Sequence, residues 1–184
     1  MTKFKLLGAT AIAAFAFAAS AMAATDPMVG GAAMYDSKNI IENAVNSKDH
    51  TTLVAAVKAG GLVETLEGAG PFTVFAPTNE AFAALPAGTV DTLLKPENKP
   101  TLDKILTYHV VAGRFDAAAL GQRIMSGGGK AILKTVQGDA LTITGHGKNL
   151  MVTDDQGNTA TITIADVYQS NGVILVVDKV LMPN

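Results

Sequence analysis

The spacing of apolar residues changes once along this chain, and that change limits the fold more than any other feature. Ahead of Gly127-Gly128-Gly129 the apolar residues recur every three or four positions, and beyond it they alternate with polar ones. Ile40, Ile41, Ala44 and Val45 predict a first helix, with Asp36 or Ser37 placed to cap it. Leu53, Val54 and Val57 predict a second, closed by Gly60-Gly61, and Leu62, Val63 and Leu66 a third short turn. Thr78 stands where a cap belongs ahead of Glu80, Ala81 and Phe82, and residues 89–95 follow as another short helix. Pro100 suits the first turn of a helix whose stripe is Leu102, Ile105, Leu106, His109 and Val110. Asp116 can cap one more helix through Ala118, Ala119 and Leu120.

After the glycines, residues 132–136, 141–144, 150–153 and 159–165 read as strands, the last alternating threonine with Ala160, Ile162 and Ile164. Gly138-Asp139, Gly145-His146-Gly147 and residues 154–158 supply the turns. Residues 173–177 are continuously apolar, which predicts a strand buried on both faces, continued by residues 180–182. Residues 72–76, bounded by Pro71 and Pro77, form a lone strand signal in the helical half, so that strand must pair far along the chain. The layout is a mixed α/β (α+β) single domain, and no internal repeat points to a tandem array.

The first residues read as a leader, not as fold. Lys3 and Lys5 precede an uncharged apolar run, and Ala21-Met22-Ala23 places small residues at both positions a signal peptidase needs. Residues 1–23 are therefore expected to be a cleaved signal peptide, since the run is shorter than the roughly 20 residues of a membrane anchor. Residues 24–35, with Pro27 and Gly30-Gly31, read as a flexible lead, and residues 36–184 as the domain. An exported chain with no cysteine has no disulfide to staple it, no thiol chemistry and no lipid-anchoring cysteine. A domain of this size buries roughly 70% of its unfolded surface, so its core can hold it unaided. The formal net charge of −2 becomes more negative once Lys3 and Lys5 leave, which argues against a nucleic-acid partner. No later apolar segment is long enough to span a membrane. The expected location is secreted or periplasmic.

Three boxes then carry a family resemblance. Gly70 to Leu85 reads G-P-F-T-V-F-A-P-T-N-E-A-F-A-A-L, Leu106 to Gly113 reads L-T-Y-H-V-V-A-G, and Asn171 to Pro183 reads N-G-V-I-L-V-V-D-K-V-L-M-P. In that order they resemble the fasciclin (FAS1) family, and Leu53 to Leu66 is similar to its upstream pattern. The resemblance implies a wedge of two β-sheets with a bundle of short helices. It also implies extracellular adhesion, with no catalytic centre and no cofactor. Leu175 stands where members often carry a histidine, so a function of that imidazole is not expected.

The adhesion positions assigned in some animal members match Tyr108-His109 and Asp166-Val167 here, which makes those four residues the expected partner contacts. Each also has a structural reading. His109 falls on an apolar stripe and can be a hydrogen-bonded core histidine, Tyr108 can cap the core, and Asp166 can bind turn amides. Enzyme constellations are missing. His50, His109 and His146 are scattered, no nucleophile elbow accompanies them, and no zinc spacing occurs. Asp154, Asp155 and Asn158 lack the EF-hand ligand order and read as a β-turn. Ala131 follows Gly129-Lys130 where a phosphate loop needs Ser or Thr. The expected function is a non-catalytic module binding a cell-surface or envelope protein or polysaccharide. The alternative is a carrier of a small apolar ligand in a cleft between helices and sheet, motivated by an apolar content of 48%.

Overall fold

The computed structural model describes residues 26–184, so the expected leader lies outside the described residues. Seven α-helices are present among those residues: α1 (Ile40–Ala44), α2 (Thr51–Gly60), α3 (Val63–Glu67), α4 (Asn79–Ala83), α5 (Thr89–Leu93), α6 (Lys99–Tyr108) and α7 (Ala117–Ser126). Asn39 caps α1, not Asp36 or Ser37. Its side chain accepts from Glu42 N–H at 2.9 Å while its own N–H donates to the Glu42 carboxylate at 2.8 Å, a reciprocal capping box. Thr78 and Asp116 cap α4 and α7 as expected. Asn79 serves a different helix from its own: its amide oxygen accepts from Thr52 N–H at 3.0 Å and its NH2 donates to the Lys48 carbonyl at 2.7 Å, which fixes the start of α2.

The strands are β1 (Met28–Val29), β2 (Ala32–Ala33), β3 (Phe72–Pro77), β4 (Val110–Ala112), β5 (Lys130–Lys134), β6 (Ala140–His146), β7 (Asn149–Thr153), β8 (Thr159–Gln169) and β9 (Gly172–Val177). Seven of them form one sheet in the order β4-β3-β9-β8-β7-β6-β5. β3 and β9 run parallel, which is the long-range pairing that its position in the helical half requires, and every other neighbour is antiparallel. A bridge from Val111 to Thr135, and Val136 N–H donating to the Val110 carbonyl at 2.8 Å, bring the two ends together, so the sheet is nearly closed into a barrel. β4 corrects the helical stripe drawn through Val110: α6 stops at Tyr108, and the β-branched pair Val110-Val111 instead takes the free edge of β3.

Residues 24–35, expected as a flexible lead, contain the β1–β2 hairpin. Gly30 and Gly31 sit at φ 59° and 77°, as a two-residue primed turn requires, so the glycine pair encodes a turn and not a flexible lead. Val29 and Met34 are buried, and the Gly30 carbonyl accepts from Lys48 N–H at 3.2 Å.

Two cores lie on opposite faces of β3 and β9. Val74, Ala76, Ile174 and Val176 meet the helical side with Ile40, Leu53, Leu66, Leu102 and Leu106. Phe75, Leu175 and Val177 face the barrel interior with Leu120, Leu141, Ile143 and Val152. That two-sided burial is why β9 is apolar at every position and wholly buried. Residues 180–182 do not extend a strand; Val180 and Leu181 are buried in coil. β8 departs from simple alternation. Ala160 and Ile162 enter the barrel core, but register shifts on either side of Ile164 turn Ile164 and Val167 to the helical core.

Gly172 lies so close to β3 that an added Cβ would overlap the Phe72 carbonyl. Gly172→Ala is expected to lower unfolding free energy by about 2 kcal/mol through forced separation of β3 and β9, read as a lower urea midpoint.

Candidate functional site

Tyr108 ends α6 with its ring in the barrel core and no exposed surface. Its hydroxyl donates to the Ala140 carbonyl at 3.0 Å and accepts from Asp155 N–H at 2.9 Å. Burial, followed by the charges of Asp155, Asp154 and Asp139, pushes the phenol up to about 12. His109 is equally enclosed. Its Nδ1 donates to the Ile105 carbonyl at 2.9 Å, one turn back, and its Nε2 accepts from Leu181 N–H at 3.0 Å. Burial pushes the imidazole down to about 4, against a smaller opposing pull from the Ile105 carbonyl, so the ring is neutral and pins the C-terminal coil to α6.

Asp154 joins the same device. It is buried, and one carboxylate oxygen accepts from the N–H groups of Gln156 and Asn158 at 3.1 and 2.8 Å. The other accepts from Asn158 Nδ2 at 3.1 Å and from Met182 N–H at 3.0 Å. Its oxygens are thus filled by turn amides and by the C-terminal coil, and among the described residues no group of three or more His, Asp or Glu side chains is arranged to hold a metal.

Asp166 and Val167 sit at the second register shift of β8. Asp166 takes φ 59°, a left-handed conformation that Asp tolerates better than most residues, and this kink directs successive side chains unevenly. Val167 turns wholly inward. Asp166 stays partly exposed and accepts from Ala117 N–H at 2.7 Å, beside the Asp116 cap at the start of α7. Of the four expected contacts, Tyr108, His109 and Val167 therefore lie in the interior, and direct contact is open to Asp166 alone.

Three residues outside the expected contacts complete the surface around it, Asp116 being known from the sequence only as a helix cap. Tyr168 is 39% exposed and donates from its hydroxyl to Asp116 at 3.2 Å. Partial burial raises its phenol, the charges of Asp166 and Asp116 add to the rise, and Arg114 opposes it. The exposed Arg114 donates to the Gln169 carbonyl at 2.9 Å. It borders two open hollows. One, of about 420 Å3, includes Asp36, Tyr168 and Ser170. The other, of about 650 Å3, carries Gln122, Arg123 and Lys130, with Arg123 stacked 4.5 Å over the Phe115 ring. Tyr168 is adjacent to the Asp166-Val167 pair and could have been found by extending it; Arg114 and Asp116 are brought in by the connection from β4 to α7, for which the sequence shows no pairing signal.

The Fasciclin domain family model matches residues 48–183. The chain belongs to the fasciclin family. Protein sll1483 of Synechocystis is 44% identical to it, the match covering 99% of this chain and 98% of that protein. The immunogenic protein MPB70 of Mycobacterium bovis is 38% identical, covering 95% and 92% respectively. The transforming growth factor-beta-induced protein ig-h3 of Sus scrofa is 42% identical over 71% of this chain, which corresponds to 17% of that protein. The FAS1 domain pair of the insect cell adhesion molecule fasciclin I shares the fold, with a TM-score of 0.55 at 23% identity over 71% of this chain and 43% of that one. The fasciclin boxes are thus fold-determining here: Tyr108, His109 and Asn171 spend their polar atoms on backbone partners, and Asn79 spends its own on Thr52 N–H, the Lys48 carbonyl and the Thr51 hydroxyl. Asn171 accepts from Ile40 N–H at 3.1 Å and donates to the Leu66 and Gly68 carbonyls at 2.7 and 3.0 Å, tying α1 and α3 to β9.

Proposed function

We propose that this fasciclin domain is a non-catalytic interaction module of the cell envelope or exterior that binds a cell-surface or matrix-like macromolecule, protein or polysaccharide. Its contact face is the surface of Asp166, Tyr168, Arg114 and Asp116. The observation that carries this reading is the kink at Asp166, which turns Val167 into the core and leaves a carboxylate, a phenol and a guanidinium together on the outside. Such a set offers donors, acceptors and an aromatic surface to a polar partner. The relatives support a setting at the cell surface: one matching protein is named a cell surface glycolipoprotein (41% identical over 66% of this chain), and the fold is shared with a named cell adhesion molecule. The leader reading supports export. No helix among the described residues is long and apolar enough to cross a membrane.

Immobilised protein should capture a component from envelope extract or intact cells, and Asp166→Asn and Tyr168→Ala should each weaken that capture about tenfold with little change in unfolding midpoint. Asn keeps the left-handed backbone accessible, so the first variant removes charge without straining the kink. Capture undiminished in both folded variants would sink the assignment of this face.

A further inference from the structure

The sequence holds only two arginines, Arg114 and Arg123, and the fold brings both to one hollow. The hollow has a topological origin. β4 and β5 close the barrel antiparallel at Val111 and Thr135, and continuing that register by three residues would set Arg114 against Ile132. Instead β4 ends at Ala112 and the chain leaves through Arg114 and Phe115 toward α7, so the seam stays open there. The open stretch is the hollow of about 650 Å3, within the roughly 300–1,000 Å3 of small-ligand sites. β5 supplies the exposed Lys130 and Ile132, and α7 supplies Gln122, Arg123 and Ser126.

Its charge is of one sign. Arg114, Arg123 and Lys130 line the hollow and no Asp or Glu does, although the formal net charge of the whole chain is −2. Among the described residues the one salt bridge is Lys99–Asp103, so none of these three cations meets a carboxylate. Arg123 is held instead by the Phe115 ring, over which its guanidinium lies at 4.5 Å, a contact that orients the group without using its N–H donors. Arg114 donates to the Gln169 carbonyl at 2.9 Å and keeps further donors. The planar fork of arginine matches a carboxylate with two parallel hydrogen bonds, which lysine cannot do. Gln122 and Ser126 add uncharged hydrogen-bonding groups, and Ile132, 60% exposed, adds an apolar surface.

We infer that this open seam is a binding site for an acidic saccharide, a sugar chain whose carboxylates meet Arg114, Arg123 and Lys130 while its hydroxyls meet Gln122 and Ser126 and the C–H face of a ring rests on Ile132. The uncharged groups point to a saccharide over an acidic peptide, because the hydroxyls carried on each ring pair with an amide and a hydroxyl that carboxylates alone would leave idle. The site adjoins the Asp166 face at Arg114 but rests on Arg123 and Lys130, which that face does not use.

Tetragalacturonate and its methyl ester, the same sugar chain with and without charge, are the probes. Titrated into the intact protein at about 0.15 M salt, where exposed charges are largely screened beyond about 8 Å, the acid should bind saturably. Its amide NMR shifts should centre on residues 114–115, 122–126 and 130–132. The methyl ester should bind about tenfold more weakly. Arg123→Gln and Lys130→Gln should each weaken binding of the acid about fivefold, and Arg123→Lys, which keeps the charge and loses the fork, about threefold. No saturable binding of the acid, or equal binding of the ester, would overturn the inference. Tetraglutamate binding as tightly as tetragalacturonate would overturn the ligand class in favour of an acidic peptide. The comparison of probes in the unaltered protein decides the matter even where a variant fails to fold. It needs no envelope component, so its outcome is read apart from capture at the Asp166 face.

Discussion

Lowering the pH from about 7.5 to about 4.5 is expected to remove about 2–3 kcal/mol of unfolding free energy through His109 alone. In the folded protein the ring sits near 4, against 6.5 when free. Between those values the unfolded chain binds the proton and the folded one does not, so stability falls as the pH drops through 6.5 and levels off near 4. The cause is geometric: a protonated ring could no longer accept the Leu181 N–H, and a charge would lie in an apolar interior. His50, also lowered by burial, pulls in the same direction. His109→Gln should be less stable at neutral pH yet lose less on acidification, and urea unfolding of both proteins at the two pH values measures that difference. Parallel losses in the two proteins would show that His109 does not carry this part of the acid sensitivity.

The second large effect is expected at Asp154. Asp154→Ala should lower unfolding free energy by about 3 kcal/mol, because it leaves three backbone donors in the turn and the C-terminal coil without their acceptor, and hydrogen bonds to charged groups are each worth about 1.5–3 kcal/mol. The loss should appear as a lowered thermal midpoint, together with faster amide exchange at Met182. A change of a few tenths of a kcal/mol would mean that solvent replaces the carboxylate and that the coil is not held there.

Much of this architecture was legible because each signal had a local cause. The switch from helical to alternating spacing separates the helices from β5 to β9, the apolar run 173–177 foretells burial on both faces, and Thr78 and Asp116 cap the helices they precede. The misreadings share a different cause. Val110 departs from the helical pattern because β3 offers it a partner far along the chain, Val74, and Gly30-Gly31 makes a turn because residues 28 and 33 can pair. Local pattern does not contain those partners. The alternation of β8 was read correctly as strand, but its register shifts place Ile164 and Val167 on the other face from Ile162, which period two alone cannot show.

The candidate site follows the same division. The resemblance led to Tyr108, His109, Asp166 and Val167, and the fold gives them two kinds of work. Tyr108 and His109 fasten the barrel, the turn at Asp154 and the C-terminal coil, and Val167 fills the helical core. Asp166 remains at the surface, where the connection from β4 to α7 brings Arg114 and Asp116 toward it.

The most direct test of the central claim sets the exposed tyrosine against the buried one in a single capture assay. Tyr168→Ala should abolish most capture of an envelope component while leaving stability nearly unchanged. Tyr108→Phe, which loses only the hydroxyl that joins Ala140 to Asp155, should lower stability by about 1–2 kcal/mol and capture normally. Capture that survives Tyr168→Ala but is lost in folded Tyr108→Phe would contradict the account and return the contact to the Tyr-His segment.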